Sequence, residues 1–88
     1  MTILQETVEA RRNRLLWRAS HRGMREMDLL LGGFAKNAIE RFSEAELDEL
    51  ETIVGLPDHE LMGWILGDVP VPQGQVTATL KALLTYRP

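Results

Sequence analysis

No cysteine occurs among the 88 residues of this chain. Its absence removes disulfides, thiolate metal sites and thiol catalysis together, and it suits a reducing compartment. Long apolar runs are missing as well, and none approaches the roughly 20 residues that a bilayer-spanning helix needs. The opening MTILQETVEARRNRLLW has no extended apolar stretch followed by small residues, so it does not read as a secretory signal, and Glu6 and Glu9 argue against a transit peptide. The expectation is a soluble, intracellular protein with no membrane insertion. Alternating polar and apolar runs, the mark of a half-buried strand, are absent too. Histidine is sparse: His21 and His59 stand alone, without the neighbours a metal site needs. Ser20 lies beside His21 but has no third group to orient that pair, which leaves no nucleophilic site to assign.

What is present suffices for one domain, residues 1–88, with residues 1–6 expected to be flexible. A chain of this size has a modest core, and no deep active-site cavity is expected. The net charge is −3, unevenly distributed: residues 1–39 hold seven bases against four acids, and residues 40–68 hold nine acids against Arg41 alone. Such segregation predicts either a dipolar surface or two solvated helix faces. Six arginines between positions 11 and 25 offer phosphate contacts, so an arginine-rich, nucleic-acid-binding helical bundle is the alternative reading. Against it, the isoelectric point is near 5.3, and no second helix carries a set of base-reading side chains.

Apolar residues recur at helical spacing throughout. Helices are predicted over 7–20, 24–41, 43–54, 59–66 and 73–86, giving an all-α, compact five-helix bundle with mostly antiparallel neighbours. Val8, Leu15, Leu16 and Ala19 mark the inner stripe of the first, and Val76, Leu80, Leu83 and Leu84 that of the last. Ser43 followed by Glu46 reads as a capping box. Gly55 is placed as a left-handed stop, and Asp58 as the N-cap of the fourth helix. Gly32 and Gly33 interrupt the second helix, which a kink or a close crossing by another helix would explain. Trp17 and Trp64 read as packing anchors with an edge exposed at an interface, and the methionines as core filler.

The stretch SHRGMREMD, residues 20–28, is harder to explain by folding alone. Gly23 suits a chain reversal between two helices, and it also lets a second backbone come close. Arg22 is a bidentate donor for a carboxylate or phosphate. Glu26 lies one turn into the next helix, near its positive end. These residues permit a flat polar docking spot at a corner of the bundle without singling it out.

RGMRE sits within RLLWRASHRGMREMDLLLGGFA, and LDELETIVGLPDHELMGWILG follows in the same order. Together they resemble the succinate dehydrogenase assembly factor 2 family, known in bacteria as SdhE, over about two-thirds of the chain. The resemblance implies an assembly factor, not an enzyme, that promotes covalent attachment of FAD to a histidine of a client. The client would be the flavoprotein subunit of succinate dehydrogenase and, in some bacteria, also that of fumarate reductase. No flavin would be held stably by the factor itself, which would be a monomer when free. It would work in the bacterial cytoplasm or, for a eukaryotic chain, in the mitochondrial matrix. Arg22, Gly23 and Glu26 carry the family motif. His21, Arg18, Arg25 and Asp28 join them as expected client-binding residues, with Arg14, Arg18 and Arg25 steering the encounter. His21 holds a place where many relatives have Arg or Lys, so positive charge there would depend on pH. On this resemblance Arg22 contacts acidic or carbonyl groups of the client, and Glu26 either fixes Arg22 or bonds the client directly.

Overall fold

Thr7 starts the first helix: its hydroxyl accepts from the Ala10 N–H at 3.0 Å. A computed structural model describes residues 6–88. Of the segment 1–6 expected to be flexible, all but Glu6 lies outside the described residues. Five α-helices follow in order: α1 Val8–Ser20, α2 Arg25–Ala38, α3 Glu44–Val54, α4 Asp58–Leu66 and α5 Ala78–Thr85. Single 3-10 turns occupy Ile39–Arg41 and Gln73–Gln75. There is no strand among the described residues, as the sequence predicts.

Several boundaries differ from expectation for local reasons. The second helix tightens into a 3-10 turn after Ala38, three residues before the predicted end at 41. The fifth begins at Ala78 rather than near 73, because Thr77 is extended and its hydroxyl takes the Leu80 N–H at 3.1 Å. Glu49 of α3 fixes this start by accepting from the Thr79 N–H at 3.2 Å and the Thr79 hydroxyl at 2.7 Å. Ser43 and Glu46 do form the capping box, with the two reciprocal bonds at 3.2 and 2.9 Å. Gly55 follows α3 but has φ −82 and is not left-handed. The helix stops there because Leu56 precedes a proline, which disfavours helical backbone. Asp58 is the first residue of α4, with Pro57 before it, and its side chain caps nothing.

One hydrophobic cluster joins all five helices. Leu15 and Ala19 enter from α1; Met27, Leu31 and Phe34 from α2; Leu47, Leu50 and Ile53 from α3; Leu61 and Trp64 from α4; Leu80 and Leu83 from α5. Val8 and Val76, expected inside, are 38% and 40% exposed: Val8 is the first residue of α1, and Val76 lies before α5 begins, in the extended link after the 3-10 turn. α1 lies against α2 and α3, and α5 against α3 and α2. The close crossing expected at the paired glycines is present. A Cβ at Gly32 would come within 2.9 Å of Ser20 Oγ and 3.0 Å of Ser20 Cα, so a side chain there would push α1 and α2 apart.

The basic and acidic blocks meet where α1 crosses α3. Arg11 donates to Asp48 at 2.6 Å and to Glu51 at 2.9 Å; Arg14 donates to Glu51 at 3.1 Å and to Glu6 at 2.8 Å. Arg12 donates to the carbonyls of Ile39 and Phe42 at 3.1 and 3.0 Å. Hydrogen bonds from Arg14 and then Arg11 hold the Glu51 carboxyl below its ordinary range against the opposing effect of burial. The Arg14 guanidinium lowers Glu6 in the same way. Much of the positive block is thus neutralised within the fold, where a dipolar surface was one expectation.

Candidate functional site

Residues 21–24 carry the chain from α1 into α2. His21 closes α1, and its Nδ1 lies 2.8 Å from the Trp17 carbonyl. A carbonyl only accepts, so Nδ1 carries the hydrogen. Gly23 has φ +84, a left-handed conformation that costs other residues roughly 1–2 kcal/mol. A Cβ at Gly23 would meet nothing within 4 Å. Within the chain, then, glycine is required by the turn and not by crowding, and the space beside it is open to a partner. Asp28 secures the reversal by accepting from the Arg22 backbone N–H at 2.6 Å.

The Arg22 side chain turns back into the protein. Its Nε donates to Asp58 Oδ1 at 2.8 Å, its Nη2 to the Leu56 carbonyl at 2.5 Å, and its Nη1 to the Val54 carbonyl. Only 9% of the side chain is exposed. The guanidinium closes the end of α3, where carbonyls lack helical partners, and ties it to the first residue of α4. The two proposed roles of Glu26 are separated by this geometry. Arg22 is fixed by Asp58, and Glu26 makes no ion pair or side-chain hydrogen bond among the described residues.

The corner therefore brings the expected residues together in two groups. Arg18, His21, Gly23, Arg25 and Glu26 are exposed around the turn. Arg22 and Asp28 lie beneath them and hold the turn in shape. Beside them is a shallow depression of about 370 Å³, rimmed by Trp17, Arg18, His21 and Pro57, with Arg22 and Asp58 in its floor. One member was not foreseen and another is only partly what the sequence predicts. Asp58 looked like a helix cap, and only tertiary packing shows its carboxylate on Arg22. Of the two tryptophans expected as packing anchors with an exposed edge, Trp64 is the anchor, 5% exposed, whereas Trp17 is 62% exposed, far more than an edge. A signal for Trp17 was available: two residues beyond Leu15 and two before Ala19, it falls on the opposite face of the helix from the buried stripe. No described helix is long and apolar enough to cross a membrane, and no three metal-ligating side chains cluster among the described residues.

Comparison with known proteins places this geometry in context. The family described as flavinator of succinate dehydrogenase (Sdh5) matches residues 13–87. The FAD assembly factor SdhE of Acetobacter pasteurianus is 37% identical over 82 residues, covering 93% of this chain and 75% of that relative. The mitochondrial succinate dehydrogenase assembly factor 2 of Dictyostelium discoideum is 38% identical over 74 residues, covering 84% of this chain and 52% of that relative. That of Scheffersomyces stipitis is 44% identical over 59 residues, covering 67% and 40%. The chain thus spans about half or less of the length of these two mitochondrial relatives.

Proposed function

The chain belongs to the family of succinate dehydrogenase flavinators, assembly factors and not catalysts, and on that premise we propose how it acts. It docks on the flavoprotein subunit of succinate dehydrogenase through the Gly23 corner and promotes covalent attachment of FAD to that subunit. The flavoprotein of fumarate reductase is a second client of the same kind. The factor acts as a monomer, without a stably held flavin of its own, in the bacterial cytoplasm or the mitochondrial matrix.

One observation carries the docking site: the motif divides within five residues. Arg22 is consumed by the protein's own α3–α4 corner, while Gly23, Arg25 and Glu26 face outward. Arg22 and Asp28 hold the turn, Gly23 lets client backbone approach, and Glu26 and Arg25 supply charges of both signs to pair with it. Arg18 and Arg25, rather than the engaged Arg14, steer the encounter. The bond to flavin forms in the client. What this chain contributes is a fixed surface against which the client settles with its reacting groups aligned, a gain in orientation. The nucleic-acid reading loses its support here, because Arg11, Arg12, Arg14 and Arg22 all spend their guanidinium groups internally.

The test is co-expression with the client subunit, reading covalent flavin by its fluorescence on a denaturing gel. Glu26→Ala is expected to lower flavinylation strongly with unchanged circular dichroism. Gly23→Arg is expected to abolish it, since roughly 1–2 kcal/mol of backbone strain does not unfold a domain of ordinary stability, about 5–15 kcal/mol. Normal flavinylation by both variants would remove the corner from the mechanism.

A further inference from the structure

Trp17 adds little to the core: 62% of it is accessible. Its ring is nonetheless held in place. It stacks on the His21 ring with centroids 4.3 Å apart and planes 15° from parallel, and His21 is in turn bonded to the Trp17 carbonyl. Arg18 stands beside this pair, exposed, with one long contact of 3.4 Å to the Val54 carbonyl and no carboxylate in ion-pair range among the described residues. The depression they rim has a satisfied floor, since Arg22 already occupies the carbonyls of Val54 and Leu56 and the carboxylate of Asp58.

We propose that Trp17, His21 and Arg18 form a second contact area for the client flavoprotein subunit, one that takes an apolar side chain on the Trp17 ring and a neighbouring carboxylate on Arg18. This rests on the docking reading above: the depression is continuous with the Gly23 corner through His21 and Arg22, so a partner seated on one reaches the other. Charge favours a protein over a nucleic acid. Asp58 lies in the depression, Glu26 is at the corner, and the whole chain carries −3. A phosphodiester chain would meet these carboxylates with its own negative charge, whereas a mixed-sign protein surface pairs with both kinds. Trp and Arg are the residues that dominate interface energetics when buried by a partner, and a ring already stacked loses little rotamer freedom on binding.

The experiment uses the full chain labelled with fluorotryptophan, which yields separate fluorine signals for Trp17 and the buried Trp64, assigned with Trp17→Phe. Unlabelled client subunit is added, and affinity is measured separately for Trp17→Ala and Trp17→Tyr. The expected result is that the Trp17 signal moves and loses solvent sensitivity while Trp64 stays put. Trp17→Ala should weaken binding about tenfold or more, with Trp17→Tyr recovering most of it and circular dichroism unchanged in both. A complex that forms with the Trp17 signal unchanged, or equal affinity of Trp17→Ala, overturns the second contact area and leaves the Gly23 corner standing. If the unsubstituted chain forms no complex, both fall. A Trp17 response to mixed-sequence RNA at physiological salt, without one to the client, also overturns it.

Discussion

Arg11 and Arg14 reach from α1 to α3 along the half-exposed seam between the two helices, whereas Arg22 reaches the end of α3 from within the fold. Both places set a guanidinium on carboxylates, and Arg22 adds two backbone carbonyls. The surroundings differ. In the α1–α3 seam the side chains of Arg14 and Glu51 are each 37% exposed. Such pairs contribute about 0.2–1 kcal/mol each, because water solvates the separated charges nearly as well. The Arg22 side chain is 9% exposed and makes three directed bonds. Removing one partner of a fully buried pair costs about 3–5 kcal/mol; here Asp58 is 28% exposed, so the cost falls toward the lower end, carried by the carbonyls left without a donor. The seam aligns two helices. Arg22 fixes the corner where the α1–α2 turn meets the end of α3 and the start of α4, the corner proposed above for docking.

Breaking the buried side should have the largest effect. Arg22→Ala is expected to lower unfolding free energy by about 3 kcal/mol or more, measured by urea denaturation. Arg22→Lys should recover little, because one ammonium cannot span the fork that reaches Asp58 and two carbonyls. A loss under about 0.5 kcal/mol would erase the contrast between the two regions. Breaking the seam should matter less. Glu51 accepts from both Arg11 and Arg14, and Glu51→Gln should cost about 1 kcal/mol. That cost should shrink in 1 M salt, where screening acts over about 3 Å, while the cost of Arg22→Ala persists.

Acid provides the finest test. The arginine hydrogen bonds lower Glu51 and Glu6 in the folded state below the ordinary glutamate value of about 4.3. Their contribution is therefore complete above that value and is lost as pH falls through the lowered folded pKa. Stability measured downward from about pH 5 should fall less steeply in Glu51→Gln than in the unsubstituted chain. Identical slopes would show that the seam contributes nothing to the native state.

The five helices were legible because burial repeats every three to four residues along each, and Ser43 with Glu46 marked one start to the residue. The ends of the second and fifth helices were not, since Ile39–Arg41 and Gln73–Gln75 are short turns whose form depends on what packs beside them. Of the candidate site, the exposed members around Gly23 were legible from the motif. The inward direction of Arg22 was not, because Asp58 is 36 residues away and each residue alone has a sufficient local explanation.

The sequence by itself determined the helical class, the core stripes, the capping box and the resemblance to the family. These depend on neighbours within a turn or two, where spacing dictates which side chains share a face. Only the tertiary structure decided that Arg22 faces inward onto Asp58 and that the basic helix is paired with the acidic one. Those outcomes depend on which distant carbonyls and carboxylates come within hydrogen-bond reach, and local periodicity carries no information about them.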